Sequence, residues 1–171
     1  LDRTVTTWPL MWSAVHSGLK PSTNADQPSV GPAVAYLRFE QEQQAEQGFR
    51  GEYSLYGSSE IPGIRGFDQN LLAKAGTAIN LQWQGEVWAL GLNPAYAHKP
   101  DDDKELRLDG SYLAAAGGNW IFGAGAIDRW WGPGWQSSLI LSNNARPMPA
   151  LWVNRNNSYA PEADWLKWIG P

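Results

Sequence analysis

The clearest order in the chain is an alternation of apolar and polar positions with period two, which predicts β-strands with two chemically different faces. It is first visible from Ala33, where Leu37 and Phe39 oppose Arg38 and Glu40. After Gln47-Gly48 it resumes, with Phe49, Tyr53 and Leu55 set against Arg50, Glu52 and Ser54. These two runs are expected to pair antiparallel. A second hairpin is predicted where Ile79, Leu81 and Trp83 alternate with Asn80, Gln82 and Gln84, and Gly85-Glu86 turns the chain into Trp88, Leu90 and Leu92. In a third, Leu106, Leu108 and Tyr112 face away from Arg107, Asp109 and Ser111. Gly117-Gly118-Asn119 then turns, and Trp120, Phe122, Ala124 and Ala126 return.

Between and around these strands the pattern is irregular. Residues 4–20 predict a short helix after Pro9 that ends near Gly18, and residues 21–32 have linker chemistry. The segment from Asn93 to Lys104, with two prolines and the run Asp101-Asp102-Asp103, reads as a solvated loop. Trp130 to Trp135 cannot be an ordinary central strand, because it contains Gly132-Pro133-Gly134. Asn143-Asn144-Ala145-Arg146-Pro147 is rich in turn residues. Ser138 to Leu141 suits a short element between them, and Leu151 to Arg155 starts another strand. Six strands are clear and two more are candidates, against a minimum near eight for a closed barrel.

Period two alone does not say which face meets water. A soluble sandwich would bury Leu37, Phe39, Trp88, Leu90 and Phe122, whereas a membrane barrel would turn them to acyl chains and leave Arg38, Glu40, Asn80 and Gln82 in the lumen. The composition has 11 Trp in 171 residues, a side chain that favours boundaries between apolar and polar layers. The charge-free stretches from Gly110 to Ile127 and from Trp130 to Ala145 are poor spanning helices, since Gly117-Gly118-Asn119 interrupts the first. With no Cys there is no disulfide framework or thiolate chemistry, and a net charge of -4 with scattered bases argues against nucleic acid.

The run from Arg129 through Trp130-Trp131-Gly132-Pro133-Gly134-Trp135 to Asn143-Asn144-Ala145-Arg146-Pro147 resembles the characteristic segment of the capsule assembly protein Wzi family, outer-membrane β-barrel proteins of Gram-negative bacteria. Leu108-Asp109-Gly110-Ser111-Tyr112, Gly118-Asn119-Trp120 and Thr7-Trp8-Pro9-Leu10 are similar to that family too. The resemblance implies an all-β fold, an antiparallel transmembrane β-barrel or part of a larger one of about eighteen strands, with a short N-terminal helix. It implies residues 1–32 as a periplasmic helix and linker, and residues 33–171 as the barrel portion with a Trp/Gly/Asn-rich plug or loop at 129–150. The opening Leu1-Asp2-Arg3 and the abrupt Pro171 suit an N-terminal portion of a longer protein, completed by the rest of the barrel or another chain.

The implied function is non-enzymatic: binding of exported capsular polysaccharide in the outer membrane, in contact with its lipid, and attachment of the capsule at the cell surface. Sugar recognition needs flat apolar faces and directed hydroxyl partners. Trp130, Trp131 and Trp135 offer the former, while Gln136, Ser137, Asn143, Asn144 and Arg146 offer the latter. The same residues equally suit a structural plug whose Arg129 and Arg146 pair with lumen carboxylates. No cofactor or metal site is expected, because Asp101-Asp102-Asp103 lacks the spacing of a calcium loop. An outer-membrane hydrolase built on His16 or His98 with an acidic residue, a porin-like channel and a soluble interaction domain are the alternatives.

Overall fold

The computed structural model describes residues 7–8, 31–63, 65, 71–131 and 144–156. The strands are β1 (Thr7–Trp8), β2 (Gly48–Gly57), β3 (Ala73–Gln84), β4 (Trp88–Leu92), β5 (Ala95–Pro100), β6 (Leu106–Arg107), β7 (Tyr112–Gly117), β8 (Trp120–Gly125), β9 (Trp130–Trp131) and β10 (Ala150–Arg155). One helix, α1 (Gly31–Ala45), precedes β2. The helix expected after Pro9, the linker over 21–30 and the element at Ser138 to Leu141 lie outside the described residues.

Helix α1 corrects the strand expected from Ala33. Leu37, Arg38, Phe39 and Glu40 do alternate, but only over four positions. The surrounding Ala, Leu, Arg, Glu and Gln residues are strong helix formers, and Pro32 fits a first helical turn, where its missing N–H costs nothing. Leu37 and Phe39 are therefore not lipid-facing strand residues, and Arg38 and Glu40 do not line a strand face. The first strand of the large sheet is β2, from Gly48, and it pairs with β3 along its whole length, from Gly48 opposite Gln84 to Gly57 opposite Ala75.

All pairings in the eight-stranded sheet are antiparallel: β2 lies on one side of β3, and the path β3, β4, β7, β8, β10 runs on the other, with β5 and β6 joining at β3. Residues 93–104 are thus not all loop, because β5 lies among them. Its register on β3 continues that of β4, since Leu92 opposes Leu81 and Ala95 opposes Ala78, with the Ile79 N–H donating to Pro94 O between them. Pro94 and Pro100 concealed this strand, although Pro94 needs only its carbonyl for the ladder. Residues 88–100 are in effect one long strand.

The next stave, β6 followed by β7, is not in constant register. Ala95 opposes Arg107, but Gly91 opposes Tyr112, which is one residue out of phase. The extra residue is taken up near Gly110, whose φ of +90° is open to glycine and strained for other residues. Asn93 closes the bulge: its N–H donates to Ser111 Oγ at 3.0 Å and its Nδ2 to the Asp109 carbonyl at 2.7 Å. The bulge overturns one expected face. Leu106 and Leu108 point outward as predicted, but Tyr112 turns inward, where its ring fills the space above Gly91, and Leu113 takes the outward position.

The two faces differ as the alternation requires. Leu55, Leu106 and Leu151 are 75%, 80% and 87% exposed, and Phe49, Tyr53, Trp83, Trp88, Leu90 and Phe122 share their side of the sheet. The opposite side carries Arg50, Glu52, Asn80 and Gln82, and the connections containing Asp128, Asn144 and Arg146 fold over it. Among the described residues the buried apolar side chains are three alanines, Ala73, Ala95 and Ala97, with Pro100 and Trp130. That is far too little for the centre of a water-soluble sandwich, where the two inner faces meet in a core. The apolar face looks outward instead.

Candidate functional site

The bulge positions the site. With the phase shift placed after it, Asp109 faces inward from the β6–β7 stave, the next inward position after the buried Arg107. Arg146 grips Asp109 with two parallel bonds, Nε to Oδ2 at 2.7 Å and Nη2 to Oδ1 at 2.9 Å, the geometry in which a guanidinium binds carboxylate best. Its Nη1 also reaches Asp102 Oδ2 at 3.3 Å. Asp102 bridges onward to Arg107, which donates from Nη2 at 2.7 Å, and Arg107 donates to the carbonyls of Leu71 and Lys104 as well. Asp102, in the exposed turn after β5, therefore links two arginines in an ion-pair network.

A second clasp lies alongside. The Arg65 guanidinium pairs with Asp128, and the Arg65 N–H donates to Asn144 Oδ1 at 2.8 Å. Together the clasps fix both described ends of the 128–146 connection to the inner wall. Burial raises the Asp128 carboxyl above the ordinary carboxylate range, and the nearby Asp109 charge adds to this against the opposing pull of Arg65. For Asp102, burial is the largest influence and acts upward. It is outweighed by the Lys104 N–H and by the charges and bonds of Arg107 and Arg146, which hold the group low. Arg146 is held above its usual value, first by the Asp109 bond.

Two inward concavities flank this network. One, of about 220 Å³, is polar and is lined by Glu52, Ser54, Asn80 and Asn93 together with Arg65, Arg107, Asp109 and Asp128 over Leu71, Ala78 and Ala95. The other, of about 450 Å³, is mainly apolar and lies toward the β3–β4 turn, with Tyr112, Ile121, Ile127 and Trp152 on its walls. The Trp152 ring covers Gly123 and carries the Arg129 guanidinium 5.3 Å from its centroid.

The expected sugar-contacting residues are distributed unevenly. Asn144 and Arg146 sit at the network, engaged with Arg65 and with Asp109 and Asp102. Trp130 is 6% exposed and Trp131 42%, both in β9, which pairs with Thr7–Trp8. Trp135, Gln136, Ser137 and Asn143 lie outside the described residues, as does His16. His98 is exposed on β5. No group of three or more metal-ligating side chains occurs among the described residues. The reading of single residues did not single out Asp109, Asp102, Arg107 or Ser54 as site residues, and it placed Asn80 in the lumen without a role there; for Asp109 the polar turn Asp109-Gly110-Ser111 inside an apolar run was the available signal.

Residues 45–171 match the model of the capsule assembly protein Wzi family. The chain belongs to this family. It is 30% identical over 175 residues to an uncharacterized 55.8 kDa protein in the cps region of Klebsiella pneumoniae, a match covering 98% of this chain and 33% of that protein. Among solved structures it is similar to the Escherichia coli outer-membrane protein Wzi, described as involved in group 1 capsule assembly and as a carbohydrate-binding β-barrel. That match has a TM-score of 0.73 and 27% identity, covering 98% of this chain and 38% of the other. The chain thus spans 33% of the length of the curated relative and shares the barrel fold of the solved one. Wzi-family membership locates it in the outer membrane. The motifs that carried the resemblance, Leu108 to Tyr112 and Asn143 to Pro147, meet one another through Asp109 and Arg146.

Proposed function

We propose that this chain forms part of a non-enzymatic outer-membrane barrel that binds exported capsular polysaccharide and helps attach the capsule at the cell surface. The observation that carries this reading is the polar network at one end of the inner wall. Short turns at Gly85–Val87 and Gly118–Asn119 lie at one end of the strands, and the long connections 58–72, 101–105 and 126–149 lie at the other. In outer-membrane barrels the short turns are periplasmic and the long loops extracellular. Asp102, Asp109, Asp128, Asn144 and Arg146 then sit toward the cell surface, where exported polysaccharide is met. Helix α1 precedes Gly48, which pairs with Gln84 at the short-turn end, so the helix belongs on the periplasmic side.

Lipid is the partner of the outward face, with Trp83, Trp88, Phe49 and Phe122 near one boundary and Tyr53 and Tyr96 toward the other. Among the described residues β2 and β10 each pair on one side only. Unpaired backbone in hydrocarbon costs several kcal/mol per group, so further strands, from the remainder of a longer barrel or another chain, complete the wall.

The test is deletion of the whole gene in a capsulated cell, with cell-bound and released polysaccharide measured separately. Continued export with loss of the cell-bound fraction, restored by the full-length protein, is expected. Unchanged retention contradicts the proposal.

A further inference from the structure

We infer that the 220 Å³ polar cavity is a subsite for one uncharged, hydroxyl-rich sugar residue of the polysaccharide, an inference that rests on the polysaccharide-binding reading above. Its floor is a row of side chains on three adjacent strands. Glu52 and Asn80 are cross-strand partners, Asn80 is level with Asn93, and Ser54 lies one inward position further along β2. Ala78 and Ala95 supply apolar surface between them for the C–H edge of a sugar ring.

The division of hydrogen-bonding capacity selects the ligand class. Arg65 and Arg107 are committed to Asp128 and Asp102, and Asn93 Nδ2 to the bulge. The Asn80 carboxamide and the Ser54 hydroxyl have no side-chain hydrogen bond among the described residues, and both groups donate as well as accept, as sugar hydroxyls do. The charged groups on the wall are three carboxylates, Glu52, Asp109 and Asp128, against two guanidiniums. A uronate or other acidic residue would enter a site whose two guanidiniums already each pair with a carboxylate and where only the Arg65 Nε N–H is left to offset its desolvation. A neutral residue meets no such penalty.

The full-length protein in detergent supplies the test. Its own capsule is partially depolymerised and separated by charge into neutral and acidic fragments, and binding of each is titrated to wild type, Ser54→Ala, Asn80→Leu and the outward control Leu81→Ile. Neutral fragments are expected to bind wild type and the control alike and to bind both inward variants about tenfold more weakly, the loss of about one hydrogen bond to a ligand. Acidic fragments are expected to change by less than twofold between proteins. Equal neutral-fragment binding by wild type and variants overturns the subsite, as does an equal loss for acidic fragments. Wild type that binds no capsule at all overturns the polysaccharide reading instead. Heat-modifiable gel mobility reports folding, and if Asn80→Leu does not fold, Ser54→Ala, which removes a single oxygen, decides.

Discussion

Gly110 is the residue on which the inner-wall network turns. Its φ of +90° disfavours any side chain, and a Cβ there would lie 2.9 Å from Asn93 Nδ2, the group that closes the bulge. Gly110→Ala is expected to destabilise the protein by about 1–3 kcal/mol in urea titration, through backbone strain and the displaced Asn93 bond. A change under about 0.5 kcal/mol would show that the bulge does not constrain Asp109. The Asp109 and Arg146 pair, 16% and 29% exposed at the side chain, is sheltered enough to couple measurably. A double-mutant cycle with Asp109→Asn and Arg146→Gln is expected to give about 0.5–3 kcal/mol of interaction, and additivity would contradict the clasp.

The two network carboxylates respond to pH in opposite directions. Asp102 has a lowered folded value, so its pairing stabilises the protein above the unfolded carboxylate value of about 3.9 and that stabilisation is lost as pH falls through the folded value. Asp128 has a raised folded value. Its ionised form therefore opposes folding at neutral pH, and stability is regained as pH falls through that value. Asp102→Asn is expected to weaken the protein at pH 7 with the difference vanishing in acid, while Asp128→Asn loses its pairing with Arg65 but escapes the cost of a partly desolvated charge. Parallel stability profiles for wild type and Asp102→Asn would contradict the assignment for Asp102.

At the scale of elements, residues 88–100 behave as one strand despite Pro94. The Ile79 N–H donating to Pro94 O and the Ala97 N–H donating to Glu105 O at 2.8 Å are expected to exchange slowly with deuterium in the assembled protein, like neighbouring ladder amides. Rapid exchange at both would show a break at residue 94. This strand was hidden in the sequence because Ala95, Ala97 and Pro100 carry no polar alternation and prolines flank it. The hairpins at Ile79 to Leu92 and Tyr112 to Ala126 were legible, since large apolar residues alternate on one face throughout the first, Trp120 and Phe122 do so in the second, and each turn contains glycine. The bulge was not: period two assumes constant register, and Tyr112 changes face because Gly110 breaks it. Leu37 to Glu40 misled for the converse reason, a brief alternation within a segment whose longer composition favours helix.

For the whole molecule, the direction of the faces was the question that alternation left open. It is answered by the poverty of buried apolar side chains on the inner wall and the exposed row from Phe49 and Trp83 through Leu90 and Leu113 to Leu151. The candidate site was legible in part. Asn144 and Arg146 were identified as polar partners, but Asp109, Asp102 and Arg65, which they hold, come from positions up to 79 residues away and meet only through the fold.

These 171 residues contain no cysteine, so single cysteines at Leu90, Asp103 and Glu86 test orientation and facing directly in a full-length protein in which any cysteine elsewhere is replaced by serine. A membrane-impermeant maleimide is applied to intact cells and to cells with a permeabilised outer membrane. Asp103→Cys is expected to react in intact cells, Glu86→Cys only after permeabilisation, and Leu90→Cys in neither while remaining accessible to a lipid-soluble reagent. Labelling of Leu90→Cys by the impermeant reagent, or of Glu86→Cys from outside intact cells, would contradict the outward apolar face or the periplasmic short turns.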